Sequence, residues 1–123
     1  MTIWEKFARL RDGLLPAGIA LTFSGDPTLM DARRAVNIGL IMNEWITNAV
    51  KYAFPDGFGS IHIRLDRMGD RLELMVADDG IGAIMEDAGG RGSRLTQLLA
   101  RSINAELQVR NDGGTRAVLA MEF

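Results

Sequence analysis

Cysteine is absent from the sequence, which excludes disulfides and thiolate zinc sites together. Absent too is any stretch approaching the roughly 18 uncharged apolar residues of a membrane-spanning helix. The opening MTIWEKFARLRDGLL sets charges among its apolar positions, so it lacks the continuous apolar centre of a signal peptide. Lysine and arginine never form a run, and the formal charge is −2. That leaves no electrostatic footprint for nucleic acid or an anionic membrane. Histidine occurs once, and repeats, linkers and low-complexity segments do not occur. What is present is ordinary globular material, 47% hydrophobic and 24% charged over 123 residues. Such a chain forms one domain, residues 1–123, able to bury roughly two-thirds of its unfolded surface. The expectation is a soluble, cytoplasmic domain with no nucleic-acid partner and no direct membrane contact.

The one compositional excess is glycine, 14 residues, most of them in the second half. Around these breaks the pattern predicts alternating elements. Ile3, Phe7, Leu10 and Leu14 fall at helical spacing, giving a helix over 1–14. GIALTFSGD reads as a strand with Ile19, Leu21 and Phe23 on one face. Asp31 is placed to cap a long helix that runs to about Ala53, where Pro55 and Gly57 stop it. SIHIRLDRM turns inward through Ile61, Ile63 and Leu65, and Gly69-Asp70 is a two-residue hairpin signal leading into RLELMVADD. A second helix carries Leu95, Leu98, Leu99 and Ile103 at core spacing. ELQVRN and TRAVLAMEF close the chain around Asp112-Gly113-Gly114. The order predicts an α+β fold, a two-layer sandwich with helices on one face of a mostly antiparallel, mixed sheet.

Within the long helix, Asn37, Glu44, Asn48 and Lys51 interrupt an otherwise apolar run. At 3.6 residues per turn they return to within about 40° of one line. A narrow polar stripe fits a helix packed on most sides with one line open to a cavity. It fits a polar-poor surface helix equally well. In the strand 71–79, Leu72, Leu74 and Val76 define the inward face, and two further on Asp78 also points in. An inward carboxylate needs a partner or a ligand donor such as an exocyclic amine. The glycines that follow, Gly80 and Gly82, then Gly89, Gly90 and Gly92, lead to a helix starting near Ser93. Close backbone approach and free N–H groups at a helix start suit phosphate, although neither standard phosphate motif is present.

Taken together, N-E-x-x-x-N-A-x-K-Y on a helix, D-x-G-x-G after a strand, G-x-G-x-x-L opening a second helix, and G-G-T before the last strand resemble the Bergerat-type ATP-binding fold. That fold is shared by gyrase, a heat-shock chaperone, mismatch-repair ATPases and histidine kinases. LIMNEWITNAVKYAFPDG with a hairpin and DDGIG is most similar to the catalytic ATP-binding domain of a bacterial sensor histidine kinase, and the likeness covers roughly 15–123. The resemblance implies ATP and Mg²⁺ as cofactors. It implies Asn48 as the metal ligand through its amide oxygen, and Glu44 as the group that polarises a water or holds the hydration shell. Lys51 would reach phosphate oxygens and Tyr52 would lie against the adenine. Asp78 would accept the adenine amino hydrogen, Gly80 and Gly82 would give the base room, and Gly90 and Gly92 would admit the triphosphate. Thr115 would sit near the adenine-side water. Catalysis would rest on Glu44, Asn48 and Lys51.

Two features depart from the pattern. Residues 83–89 form a lid shorter than the family's, which leaves more of the triphosphate uncovered. Arg91 and Arg94 offer partial compensation by charge. The only histidine, His62, alternates with Ile61 and Ile63 and faces outward as an ordinary surface residue. The phosphoacceptor would then be a histidine on a dimerisation domain in cis or trans, with a response regulator or phosphotransfer protein downstream. Without that dimerising hairpin the domain itself is expected to be a monomer. The alternatives are a stand-alone serine kinase of the anti-sigma-factor type and a degenerate, non-catalytic docking domain.

Overall fold

A computed structural model describes residues 16–25, 30–81, 93–111 and 113–122. The predicted helix over 1–14 and lid over 83–89, with Gly82, Gly90, Arg91 and Gly92, fall outside these residues. Seven elements follow in order: β1 (Ile19–Gly25), α1 (Ala32–Tyr52), β2 (Gly59–Met68), β3 (Arg71–Asp78), α2 (Arg94–Ser102), β4 (Glu106–Asn111) and β5 (Thr115–Glu122).

The strands form one sheet in the order β1-β2-β3-β5-β4. Only β1 and β2 run parallel, because the 21-residue α1 carries the chain back between them. The other pairs are antiparallel. Gly69 adopts a positive φ of 61°, and the two-residue turn it opens sets Met68 opposite Arg71. That register brings Ile63 beside Val76 and Leu65 beside Leu74 on the inward face, and all four are buried. Both helices cover this face. Ile38, Ile41, Met42, Trp45 and Ile46 from α1 pack with Leu72, Leu74, Leu119 and Met121 from the sheet into one core. The mixed α+β sandwich expected from the element order is the observed fold.

Three details differ from the sequence reading. Asp31 precedes α1, but its carboxylate makes no capping bond and sits 3.5 Å from the Arg34 guanidinium instead. Leu95 and Leu98 do not enter the core; they are 53% and 56% exposed. The buried side of α2 is set by Thr96, Ala100, Ile103 and half-buried Leu99. Small residues at 96 and 100 let α2 sit close, which rotates its larger leucines outward. On α1, Val36 and Leu40 are 39% and 47% exposed, so its open side is wider than the polar stripe.

The ends of α2 are well defined. The Ser93 hydroxyl accepts from the Thr96 amide, and the Thr96 hydroxyl donates to the Ser93 carbonyl. At the other end Asn104 takes a left-handed φ of 56°. Its amide donates to Arg101 and that of Ala105 to Ala100, the paired bonds of a Schellman stop.

Candidate functional site

The period of β3 carries Asp78 to the inward edge of the sheet, just beyond buried Val76, where it is half-buried. One carboxylate oxygen, Oδ1, accepts from the Gly80 amide at 2.9 Å and from the Thr115 amide at 3.2 Å. The other oxygen has no partner among the described residues. Fixing one oxygen by two amides aims the second, so the carboxylate is oriented before any ligand arrives.

Two glycines make this arrangement possible. A Cβ on Gly114, whose φ is +128°, would lie 2.0 Å from the Asp78 carbonyl oxygen, so only glycine lets Thr115 approach. A Cβ on Gly80 would stand 2.3 Å from the Ala53 carbonyl oxygen, which accepts the Ile81 amide at 3.0 Å. The space that Gly80 leaves is therefore taken up by the end of α1.

From α1, Asn48 faces the same space. Its amide nitrogen donates to Glu44 Oε1 at 3.3 Å, one helical turn earlier. This bond leaves the amide oxygen of Asn48 directed away from Glu44, without a donor among the described residues. Asn48 and Asp78 share one hollow with Trp45, Ala49, Val76, Thr115 and Ala117. Counted to its open mouth it holds about 320 Å³.

The other predicted residues lie around or away from this hollow. Lys51 and Tyr52, in the last turn of α1, are exposed and are not among its lining residues. Asn37 leaves the stripe altogether, donating to the Leu99 carbonyl at 3.1 Å to tie α1 to α2. Arg94 is exposed at the start of α2. The Thr115 hydroxyl donates to Asn111 Oδ1 at 3.1 Å. His62 lies on the opposite, outer face of the sheet, and there it is not alone. Its ring nitrogens meet Thr22 Oγ1 at 2.7 Å and Ser24 Oγ at 3.0 Å, as the parallel register of β1 and β2 dictates.

Sequence reasoning gave no site role to Trp45, Ala49, Val76, Ala117 or Gly114, although it set Val76 on the inward face and Gly114 in the closing turn. The first two were legible, since 45, 48 and 49 stand at i, i+3 and i+4. They passed as core residues of an apolar helix.

The family model for a histidine kinase-like ATPase domain matches residues 21–121. Among curated proteins, the chain is 34% identical over 112 residues to blue-light-activated histidine kinase 2 of Erythrobacter litoralis, covering 85% of this chain and 32% of that protein. It is 29% identical over 104 residues to the sensor histidine kinase PdtaS of Mycobacterium tuberculosis, covering 77% of this chain and 21% of the relative. The chain thus spans a third or less of the length of these relatives. Among solved structures, the histidine kinase domain of the Erythrobacter litoralis EL346 blue-light activated kinase superposes with a TM-score of 0.79 at 28% identity, covering 98% of this chain and 58% of that one. The catalytic domain of histidine kinase ThkA gives 0.71 at 14% identity, covering 98% and 90%, which is a likeness of fold.

Proposed function

The chain belongs to the histidine kinase-like ATPase domains, and from that premise we propose that it binds ATP with Mg²⁺ and transfers the γ-phosphoryl group to a histidine on a separate segment or chain. The observation that carries this reading is the shared hollow, which Asn48 lines together with Asp78, whose second, oriented oxygen has no partner among the described residues. A carboxylate held this way suits an exocyclic amine such as that of adenine, which donates and cannot accept there. Asn48 fits a hard cation that keeps most of its waters, because one neutral oxygen suffices when phosphates supply the rest. Mg²⁺, when bound, supplies neutralisation of charge on the phosphate oxygens.

The residues of the chain then have distinct roles. Asp78 fixes the base, Asn48 the phosphate end, and Glu44 holds the Asn48 amide in the orientation that leaves its oxygen outward. Lys51, exposed one turn beyond Asn48, reaches phosphate oxygens, and Tyr52 lies against the base. Gly82, Gly90 and Gly92 complete the phosphate side in this reading. Catalysis comes from positioning and charge neutralisation, with no covalent step on the domain. His62 is turned to the outer face of the sheet and engaged with Thr22 and Ser24, which supports a phosphoacceptor outside this domain. An ATP-consuming role puts the domain in the cytoplasm, upstream of a response regulator or phosphotransfer protein.

Calorimetry with a non-hydrolysable ATP analogue and Mg²⁺ tests the reading. Binding is expected in the unaltered domain, absent in Asp78→Asn, and weaker with reduced Mg²⁺ dependence in Asn48→Ala. A silent titration of the unaltered domain rejects it. Radiolabel passed to a histidine-bearing partner should be acid-labile; an acid-stable phosphoester identifies a serine kinase instead.

A further inference from the structure

The sheet ends at β4, which pairs with β5 on one side and, among the described residues, with no strand on the other. A free edge carries a row of backbone N–H and C=O groups able to take another strand. Open hollows border this edge on both faces of the sheet. One lies toward α2, against Gln97, Arg101 and Leu107, and the other lies on the outer face, against Gln108, Arg110 and Arg116. The described residues therefore leave the place of a sixth strand open.

Charge along the edge is unbalanced. Arg110 stands directly opposite Arg116 on the outer face, and both are exposed. Like charges set directly opposite destabilise a strand pair. Among the described residues neither guanidinium has a carboxylate within ion-pair distance. Glu106 shares that face and strand with Arg110 and is likewise without an ion pair among them; it stands opposite Ala120. Four residues of strand separate Glu106 from Arg110 by roughly 13 Å, too far for the two to meet within one chain. On the inward face Leu107 packs against the core but is only half-buried.

We propose that β4 is a self-association edge, pairing antiparallel with β4 of a second copy of this chain about a two-fold axis through Gln108. In E-L-Q-V-R, residues 106–110, that axis sets Glu106 opposite the partner's Arg110 and, by symmetry, Arg110 opposite the partner's Glu106. The partner's Glu106 thereby supplies the carboxylate that Arg110 and Arg116 lack. The partner's Val109 falls beside Leu107 and covers it, and the two Gln108 side chains meet on the axis. Moving the axis by one residue, to Leu107 or Val109, sets Gln108 opposite Glu106 or Arg110 and loses both ion pairs. The charge pattern thus selects one register. A contact of five residues a side falls below the roughly 1,200 Å² of a standard interface, so the domain is monomeric when dilute and pairs when concentrated. The proposal is independent of nucleotide binding.

Sedimentation and amide NMR of the full chain test the pairing. Between about 10 μM and about 1 mM the unaltered chain is expected to pass from monomer to dimer, less readily as salt screens the exposed ion pairs. Amide shifts that depend on concentration should fall on residues 106–110. Glu106→Arg sets arginine against the partner's Arg110, and Arg110→Glu sets glutamate against the partner's Glu106. Each variant alone should therefore self-associate at least about tenfold more weakly. Mixed one to one, the two variants regain an opposite charge at both ends of the strand pair and should form a dimer that neither forms alone. Arg110→Glu also removes the opposition to Arg116, so its loss of association is not explained by poor folding. A chain that stays monomeric throughout this range overturns the proposal, as does a mixture no more associated than its components. Shifts confined to β1, the other edge of the sheet, overturn it as well, and because they are read on the unaltered chain a misfolded variant does not shelter it.

Discussion

Adjacent carboxylates at 78 and 79 show how one residue step separates binding from structure. Asp78 turns inward and keeps one oxygen without a partner among the described residues, while Asp79 turns outward and spends both on Ser60. Its Oδ1 accepts from the Ser60 amide at 2.8 Å and its Oδ2 from the Ser60 hydroxyl at 3.0 Å. The amide bond first, then the hydroxyl, hold the Asp79 carboxyl below its ordinary value of 3.8. A depressed folded value means the ionised form stabilises the fold. That contribution is complete above about pH 4 and is lost as pH falls through the lower, folded value. Because Asp79 is exposed, it is worth less than about 1 kcal/mol. Asp79→Asn should therefore lower denaturant stability slightly and evenly from neutral pH to about pH 4, and the gap from the parent should narrow as the pH falls further, through the depressed folded value. Asp79→Ala, which loses both acceptors, should cost more than Asp79→Asn. Nucleotide affinity should change in neither variant. A gap that widens on acidification contradicts the ionic role assigned to this pair.

At the scale of elements, the sheet was legible and the second helix was not. Alternation in β2 and β3 read true because a strand has only two faces, so Ile61, Ile63 and Leu65 fix where Asp78 points once the register is set. A helix has no such binary choice. Leu95, Leu98, Leu99 and Ile103 form a plausible stripe, but the buried line runs through Thr96 and Ala100, about a third of a turn away. Nothing local reveals that α2 must sit close to α1, where Asn37 reaches the Leu99 carbonyl and Arg33 the Ser102 carbonyl at 2.8 Å. Substitution distinguishes the two faces. Leu95→Lys and Leu98→Lys should each alter stability by no more than about 0.5 kcal/mol, whereas Ile103→Ala should cost about 2 kcal/mol or more in chemical denaturation. The joint between β3 and α1 is stricter. Ala at Gly80 places a methyl against the fixed Ala53 carbonyl, so Gly80→Ala should destabilise by more than about 2 kcal/mol unless the end of α1 moves. The sequence motif marks Gly80 as important, but its contact with Ala53 appears only when the helix end and strand end are brought together.

For the molecule as a whole, the hollow is made by three elements that do not follow one another in the chain. Asn48 and Trp45 come from α1, Asp78 from β3, and Thr115 from β5. A ligand bridging them adds a link between the helical layer and the sheet, across the same core that Ile41, Leu74 and Leu119 fill. Binding to the folded chain alone raises stability by mass action, about 2.7 kcal/mol when free ligand stands at 100 times Kd. For a domain of this size that corresponds to a rise in Tm of about 10 °C. The shift should need Mg²⁺ for its full extent and vanish in Asp78→Asn. In Asn48→Ala a smaller part should survive, since the base still has its carboxylate. If Asp78→Asn retained the whole shift, the nucleotide would be bound by some other surface, and the inward aspartate would be no more than a clasp between β3 and β5. The two amides already on its other oxygen show that it serves as such a clasp in any case. Loss of the shift in a variant that still melts cooperatively is what separates ligand binding from that structural duty.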